Sequence, residues 1–289
     1  MDDGLLMDVV YVVGPQKRSE ELRYSLRSLA AHIPHRRVWI VGHKPRWVRN
    51  VHHIPRAQFS SKWTNSTENL RAACSHPDVS DRFIYMNDDF FALTPVPGIP
   101  VAHRGPVAEV VARTPMGRYR AGAAATMRLL QTLGIKEPLS YELHIPMVVD
   151  RARMLEVLNL PQARRIPVLH KRTLYGNLTG VGGEQWKDVK IASRTGDVPD
   201  GAVWVSTTPE SFTNGLVGRR IRAALPDVCR YEDSWQPAEE PVDVQEDAPP
   251  ARPTARDPKP VWVDWAVRHG VDRDAAEAMT KAELQQIGS

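Results

Sequence analysis

The sequence predicts an α/β protein whose mostly parallel sheet is flanked by helices. Met7–Val13 is a β-branched run stopped by a Gly-Pro pair, the pattern of a buried strand. Apolar residues then recur at helical spacing from Ser19, the expected N-cap, to His32, and Val38–Val41 follows as a second strand. A strand, a helix and a strand within this length form a βαβ unit, so the first strands should be parallel.

The same alternation continues through residue 93. The pattern predicts a short third strand at Val51–Ile54, a helix over Asn65–Cys74 with Asn65 or Ser66 as its cap, and a buried strand at Phe83–Met86. Residues 7–93 therefore form a Rossmann-like half of the predicted domain.

Residues 94–235 should complete that domain. Thr94–Pro100 is too rich in proline for regular structure, and His170–Asn177 reads as a basic turn. Regular elements are predicted as helices over Ala121–Leu133, Arg151–Leu158 and Ser211–Leu225 and as a strand over Ala202–Ser206.

The composition changes after residue 235. Residues 236–260 are dominated by Pro, Glu, Asp and Ala, which bury too little apolar surface to offset the entropy of ordering, so this segment is predicted to be a disordered linker. Residues 261–289 regain a helical pattern, with a capping box from Thr280 to Glu283, and predict two short helices joined by a turn. This tail resembles small helix-extended-helix modules, some of them on phage-encoded proteins, and we expect it to dock a protein partner.

Composition excludes several classes of protein. The 289 residues carry a net charge of +4 without dense Lys/Arg blocks, so nucleic-acid binding is not expected, and a mildly basic surface suits an anionic substrate as well as simple solubility. Cys74 and Cys229 are far apart, which argues against a zinc site or a disulfide framework. No apolar run reaches the length of a membrane span and the N-terminus does not resemble a signal peptide, so we expect a cytoplasmic protein.

An acidic motif follows the strand at Phe83–Met86. Asn87, Asp88 and Asp89 stand directly between two apolar stretches. In open α/β sheets, ligands bind outside the carboxyl ends of strands, and paired carboxylates there suit Mg²⁺ or Mn²⁺ bridged to a substrate phosphate. The alternative is a turn in which these side chains cap backbone amides.

Several segments together resemble a known family. The helix segment 21–29, the strand 38–41, Asn65-Ser66 and the segment 83–91, in this order, are similar to the second conserved block of the Stealth family. Ser140–Arg151, with His144 before a proline, is similar to the third block. This chain differs from the family in the first block, because a Gly-Pro pair follows the first strand where the family has a Trp-Val-Asp-Gly turn. The resemblance implies a glycosyltransferase-A-like fold that transfers sugar phosphate from a nucleotide sugar to a glycan or protein acceptor.

The resemblance also implies roles for individual residues. Asp88 and Asp89 would hold the metal and take part in catalysis, His144 would be the base that deprotonates the acceptor hydroxyl, and Arg172 would stabilise phosphate in the transition state. The donor would be bound by Arg23, Arg27, Asn65, Ser66 and Asn87.

Each role has a structural alternative. Arg23 and Arg27, one helical turn apart, fit a solvated helix face as well as a phosphate site. Asn65 and Ser66 fit a helix cap, His144 a core histidine and Arg172 an ordinary loop cation.

The sequence also leaves three functions possible. A metal-assisted transferase would move either the sugar or the sugar 1-phosphate, reactions that break different bonds of one donor. A metal-dependent phosphohydrolase would use paired aspartates too, and a non-catalytic binding protein on the same fold is the third reading.

Overall fold

The computed structural model describes residues 6–15, 20–235, 252–269, 271 and 273–287. These residues fall into two compact units, 6–235 and 252–287. The expected N-cap Ser19 and residues 236–251 of the expected linker lie outside the described residues. Within the described part of the chain, no helix combines the length and the apolar character that crossing a bilayer requires.

The first unit is built on a sheet of five strands in the order β3-β2-β1-β4-β7. The first four strands are parallel, and β7 joins the edge antiparallel to β4. The predicted α/β class with a mostly parallel sheet is confirmed. The strands of this sheet are β1 (Asp8–Val13), β2 (Val38–Gly42), β3 (His52–Pro55), β4 (Arg82–Met86) and β7 (Met147–Asp150).

Two smaller sheets complete the strand content of this unit. The three-stranded sheet has the order β5-β10-β9, and β6 pairs with β8. Their bounds are β5 (Phe90–Ala92), β6 (Ala102–His103), β8 (Glu184–Gln185), β9 (Lys190–Ile191) and β10 (Trp204–Thr207).

Helices cover both faces of the central sheet. Because side chains alternate along a strand, Val10 and Val12 of β1 face one hydrophobic cluster while Val9, Tyr11 and Val13 face another. The first cluster packs on α2, α4, α5 and α6, and the second packs on α1. The helices of this unit are α1 (Glu20–His32), α2 (Lys62–Ser75), α3 (Val107–Arg113), α4 (Arg118–Thr132), α5 (Arg151–Asn159), α6 (Lys171–Leu178), α7 (Pro209–Asn214) and α8 (Leu216–Ala224), with a 3-10 turn at Ala163–Arg165.

Helix α1 holds β5 in place through two buried serines. The Ser25 hydroxyl donates to the carbonyl of Phe90 at 2.7 Å, and the Ser28 hydroxyl donates to the carbonyl of Ala92 at 2.9 Å. The Ala92 amide in turn donates to the Ser28 oxygen at 2.6 Å. Side chains thus satisfy backbone groups at both ends of β5 and fix this strand against α1.

Several predicted boundaries are wrong. Helix α2 begins at Lys62 because Ser61, not Asn65 or Ser66, accepts from a first-turn amide, that of Thr64. The single helix predicted over Ser211–Leu225 is two helices, since a capping box at Thr208 starts the first and Gly215, in an extended conformation, ends it.

The basic turn predicted over His170–Asn177 is also wrong, because most of it is helix α6. The Glu142 carboxylate accepts from the amides of Arg172 and Thr173, both at 3.1 Å, and so caps the first turn. That cap comes from about thirty residues earlier in the chain, where no local pattern reveals it.

The second unit has three short helices rather than the two predicted: α9 (Lys259–Arg268), α10 (Arg273–Ala278) and α11 (Lys281–Leu284). The predicted capping box from Thr280 to Glu283 is present. Trp262, Val263, Ala266, Ala276 and Leu284 form its small core. A docking role for this unit stays a prediction.

Asp8 anchors the amino-terminal edge of the central sheet. Its fully buried carboxylate accepts from Arg36, Arg37, the Trp39 indole and the Ser80 amide, at 2.8–3.2 Å for the shortest bond from each. Burial acts to raise the pKa of Asp8, but these donors outweigh it and lower that pKa well below its usual range.

Asp8→Asn should lower the free energy of unfolding by about 2–4 kcal/mol at pH 7, because the donors lose a carboxylate. Since the folded-state pKa is depressed, this contribution is present above the unfolded pKa of about 3.9 and is lost as pH falls from there through the folded-state pKa, so the difference between the two proteins should begin to narrow below about pH 4. Urea unfolding from pH 7 to pH 3 measures both effects. Asp81→Asn, at an exposed carboxylate paired with Arg151, is the control and should change little. Equal losses in the two variants would contradict this role of Asp8.

Candidate functional site

The candidate site lies where the order of the central sheet changes direction. The chain builds β1, β2 and β3 outward on one side and then returns to place β4 on the other side of β1. In such sheets, ligands bind in the crevice at the carboxyl ends of the strands flanking this point. Asn87, Asp88 and Asp89 follow β4 directly and are partly exposed there.

Asp89 is ion-paired in this structure. The Lys190 ammonium donates to its Oδ2 at 2.7 Å, and the Ser206 hydroxyl lies 3.3 Å from the same oxygen. Both contacts use Oδ2. Asp89 therefore has a charged partner, and its role as a ligand or as a turn residue stays a prediction.

A second carboxyl group lies beside this pair. Glu21 is only 6% exposed and accepts from the Thr207 hydroxyl at 2.6 Å. Burial raises the pKa of Glu21 to about 7; the Thr207 bond opposes the rise and the Asp89 charge adds to it. Glu21 can therefore hold or release a proton near neutral pH.

His144 forms a dyad with Asp188. Its Nδ1 lies 2.9 and 3.0 Å from the two Asp188 oxygens, and its backbone amide donates to Asp188 at 3.1 Å. Arg104 adds a contact to the same carboxylate at 3.4 Å. Burial acts to raise the pKa of Asp188, but the His144 bonds and the Arg104 charge lower it to about 2. An ionised Asp188 keeps the proton on Nδ1, so Nε2 carries the lone pair.

One extended segment joins the dyad to the acidic motif. Asp188 and Lys190 are two residues apart, just before and at the start of β9. The first binds His144 and the second binds Asp89. The His144 ring also meets the Phe90 ring edge-on, with centroids 6.1 Å apart. The structure therefore links the two predicted motifs through residues 188–190, since Asp188 binds His144 and Lys190 binds Asp89.

Arg172, predicted to contact phosphate, is only 5% exposed. Its two terminal nitrogens donate to the backbone carbonyls of Leu143 and Ile145. Its guanidinium also lies over the rings of Tyr85 and Phe90. The alternative of an ordinary loop cation is wrong, since the residue is helical and buried.

Arg23 and Arg27 both bind Glu232, a buried carboxylate near the end of the first unit. Arg27 also donates to the carbonyls of Leu225 and Pro226, at 3.1 and 2.8 Å. The solvated-face alternative is wrong for Arg27, which is buried. Donor binding by this pair stays a prediction, and it would require competition with Glu232.

Asn65 and Ser66 lie in the first turns of α2. The Asn65 side chain accepts from the Phe59 amide at 2.6 Å and donates to the Phe59 carbonyl at 2.9 Å, so it clamps the preceding loop. The Ser66 hydroxyl lies 3.5 Å from the Tyr85 hydroxyl, near the end of β4. A donor contact by either residue stays a prediction.

Sequence reasoning missed Glu21, Asp188, Lys190, Ser206 and Thr207. Glu21 stands in the segment that carries the family resemblance, but its burial has no local signal. Asp188 and Lys190 form an Asp-x-Lys pair in the sequence, but this spacing alone does not identify a site. Both of its partners are distant in the chain.

The predicted metal has a limited donor set. Among the described residues, no group of three or more His, Cys, Asp or Glu side chains is close enough to hold an ion. Asp88 and Asp89 carry carboxylate oxygens, the hard ligands that Mg²⁺ prefers, and Mg²⁺ commonly takes one or two carboxylates and completes its shell with phosphate and water. The residues therefore fit a cation that arrives with a phosphorylated substrate, and metal use stays a proposal.

Comparisons with known proteins give a distant likeness. No family model matches the chain, and no curated protein matches it. Among solved structures it is similar to the galactosyltransferase LgtC in complex with donor and acceptor sugar analogues, with 11% identity over 79% of this chain and 99% of that chain and a TM-score of 0.47. These comparisons support neither the Stealth resemblance nor a phage origin.

Glu21→Gln should remove a pH dependence of stability. Because folding raises the Glu21 pKa from 4.5 to about 7, the folded state takes up a proton between these values, and the wild type should lose stability as pH rises through them. The variant keeps the Thr207 bond. Its free energy of unfolding, relative to that of the wild type, should therefore rise by about 1–3 kcal/mol as pH rises from 5 to 8. Urea unfolding measures it, with the exposed neighbour Glu20→Gln as control. Parallel curves for Glu21→Gln and wild type would contradict the raised pKa.

Proposed function

We propose that this protein is a transferase that moves a sugar or a sugar 1-phosphate from a nucleotide sugar to a hydroxyl group of a glycan or protein acceptor. The observation that supports the proposal is the His144–Asp188 dyad, with Lys190, two residues after Asp188, bound to Asp89 at the end of β4. A transferase of this kind needs a base for the acceptor and charge for the diphosphate. His144 with Asp188 would supply the first, and the acidic motif with Lys190 the second.

His144 acts as the base. Its Nε2 takes the proton of the acceptor hydroxyl as that oxygen attacks. Asp188 fixes the orientation and tautomer of the ring through Nδ1 and stabilises the imidazolium that forms. The Asp188 bond to the His144 backbone amide also limits movement of the residue as a whole.

The diphosphate is bound at the acidic motif. Lys190, held by Asp89, is a cation that can turn to a phosphate oxygen. A divalent ion bound by Asp88 and Asp89 would neutralise charge on the leaving phosphate. Asn87, partly exposed beside them, adds an amide that can donate to the donor.

Two reactions share this arrangement. In sugar transfer, the acceptor oxygen bonds to the anomeric carbon, the bond from that carbon to the diphosphate oxygen breaks, and a nucleoside diphosphate leaves. In sugar-phosphate transfer, the acceptor oxygen bonds to the phosphorus next to the sugar, the bond between the two phosphates breaks, and a nucleoside monophosphate leaves. In both reactions the acceptor proton passes to His144.

The test is incubation of the full-length protein with a panel of nucleotide sugars, with Mg²⁺, Mn²⁺ or EDTA, and mass spectrometry of the nucleotide product. Diphosphate release indicates sugar transfer and monophosphate release indicates sugar-phosphate transfer. Because a suitable acceptor is needed for transfer, donor binding is measured in parallel by calorimetry. If the protein neither binds nor turns over any donor in the panel, the proposal is overturned.

Asp88→Asn and Asp89→Asn should each lower turnover about 100-fold or more while the melting temperature stays within a few degrees, since the side chains are partly exposed and an amide keeps their shape. Activity assays beside thermal melts separate the two effects. Asp81→Asn, an exposed aspartate at the opposite end of β4, is the matched control. Full activity in both variants would rule out the metal and phosphate role, and unfolding of both would favour a capping role.

His144→Ala and His144→Gln should each lower turnover by about two to four orders of magnitude with little change in donor affinity, because the base contacts the acceptor. Rate measurements on wild type, both variants and Asp188→Asn test this, and Asp188→Asn should share much of the loss.

The matched control is His53→Gln, at a histidine whose Nε2 lies 3.0 Å from the Gly42 carbonyl at the same end of the sheet. Loss of donor affinity with normal turnover at saturation would instead make His144 a phosphate contact. Near-normal rates with lowered stability would make it a core histidine.

A further inference from the structure

We propose that Arg172 is a positioning residue that holds the turn carrying His144, rather than a contact to phosphate. The catalytic meaning of this inference rests on the proposed function, but the clamp itself does not. Arg172 donates to the carbonyls of Leu143 and Ile145, the two residues that flank His144. Its guanidinium therefore spans the residue that presents the base.

Helix α6 binds the whole of the segment before His144 through its side chains. The Asn177 side chain accepts from the Leu139 amide at 2.8 Å and donates to the Leu139 carbonyl at 2.7 Å. The Thr173 hydroxyl accepts from the Tyr141 amide at 3.1 Å. Arg172 continues this series to residues 143 and 145, so the helix acts as a template for an extended segment.

Helix α6 and the 142–145 turn each supply a side chain that bonds the backbone of the other. Glu142 caps α6 by accepting from the amides of Arg172 and Thr173. Arg172 reaches back across Glu142 to the carbonyls on either side of His144. Movement of the 142–145 turn away from α6 would therefore break the helix cap and both guanidinium bonds together.

His144 is consequently held on two sides. Arg172 fixes the backbone carbonyls before and after it, while Asp188 binds its amide and its ring Nδ1. The remaining nitrogen, Nε2, is the atom that the proposed reaction uses. A base is effective only when its proton-accepting atom is held at hydrogen-bond distance from the acceptor hydroxyl.

The chemistry of the site favours arginine over lysine. A planar guanidinium reaches two carbonyls at fixed separation, whereas an ammonium is a point donor on a flexible stem. The faces of the guanidinium lie over the Tyr85 and Phe90 rings, 5.6 and 5.7 Å from their centroids. Burial acts to lower the pKa of Arg172 and the Glu142 charge opposes it, and an arginine stays charged under these conditions. Both terminal nitrogens are on backbone carbonyls and the residue is 5% exposed, so a substrate has little access to it, although its buried Nε has no hydrogen-bond partner among the described residues.

The test compares Arg172→Lys and Arg172→Met with Asn177→Ala and Arg151→Met. Asn177→Ala breaks the same template at residue 139, and Arg151→Met removes an arginine that donates to the His76 carbonyl at 2.9 Å at the other end of β4. These two variants control for loss of stability. If Arg172→Met fails to fold, Arg172→Lys, which keeps a positive charge, still decides the question.

The first measurement is the proton NMR signal of the His144 Nδ1–H, assigned by its absence in His144→Gln. We expect it to be lost or broadened by exchange with water in the Arg172 variants and retained in both controls. The second is kinetic: kcat should fall about 10- to 100-fold in Arg172→Lys, as for a misplaced catalytic group. The donor KM should stay within about twofold of wild type.

An unchanged Nδ1–H signal in Arg172→Lys would overturn the inference, whether or not a donor has been found. A donor KM raised with kcat unchanged would also overturn it and restore the phosphate contact. Equal effects of Arg172→Lys and Asn177→Ala on the signal and on kcat would show a general stability role and likewise reject positioning. Failure of the nucleotide-sugar panel bears on the proposed function alone, because the NMR measurement needs no substrate.

Discussion

The buried backbone of residues 141–145 must be hydrogen-bonded, and side chains supply much of that bonding. Thr173 accepts from Tyr141, Arg172 donates to the carbonyls of 143 and 145, and Asp188 accepts from His144. An unpaired buried amide or carbonyl costs about 1–3 kcal/mol, so the segment has a defined path only where these side chains are in place. The position of α6, the antiparallel entry into β7 and the orientation of the His144 ring all depend on this arrangement.

Charge compensation is the second organising feature of the first unit. Asp8, Asp89, Asp188 and Glu232 each bind a basic side chain, and in each case that partner comes from a different structural element. A buried pair is weak evidence for added stability, but removing one partner is costly because the other charge remains. The pairs thus fix how elements are joined. At the candidate site they also leave Lys190 beside Asp89 as a cation that a diphosphate can attract.

The main features of the fold could be predicted from the sequence because they have short-range causes. Strands β1, β2 and β4 are continuous apolar runs, α1 has apolar residues at helical spacing, and the capping box at Thr280 lies within one turn. One error arose where a distant residue overrode the local pattern, and others where a nearby cap was misassigned. Glu142 caps the basic segment after His170, which is therefore a helix and not a turn. Asn65 is a plausible helix cap, but its side chain bonds the backbone of Phe59 instead.

The sequence by itself determined the α/β class, the parallel order of the early strands and the position of Asn87, Asp88 and Asp89 at a strand end. Periodicity and turn chemistry depend on residues within a few positions of one another, which is why they can be read along the chain. Only the tertiary structure decided that Asp188 holds His144 from 44 residues away, that Lys190 pairs with Asp89 from 101 residues away, and that Arg172 faces inward. Ion pairs and clamps of this kind form wherever folding brings opposite charges together, and their separation along the chain follows no period.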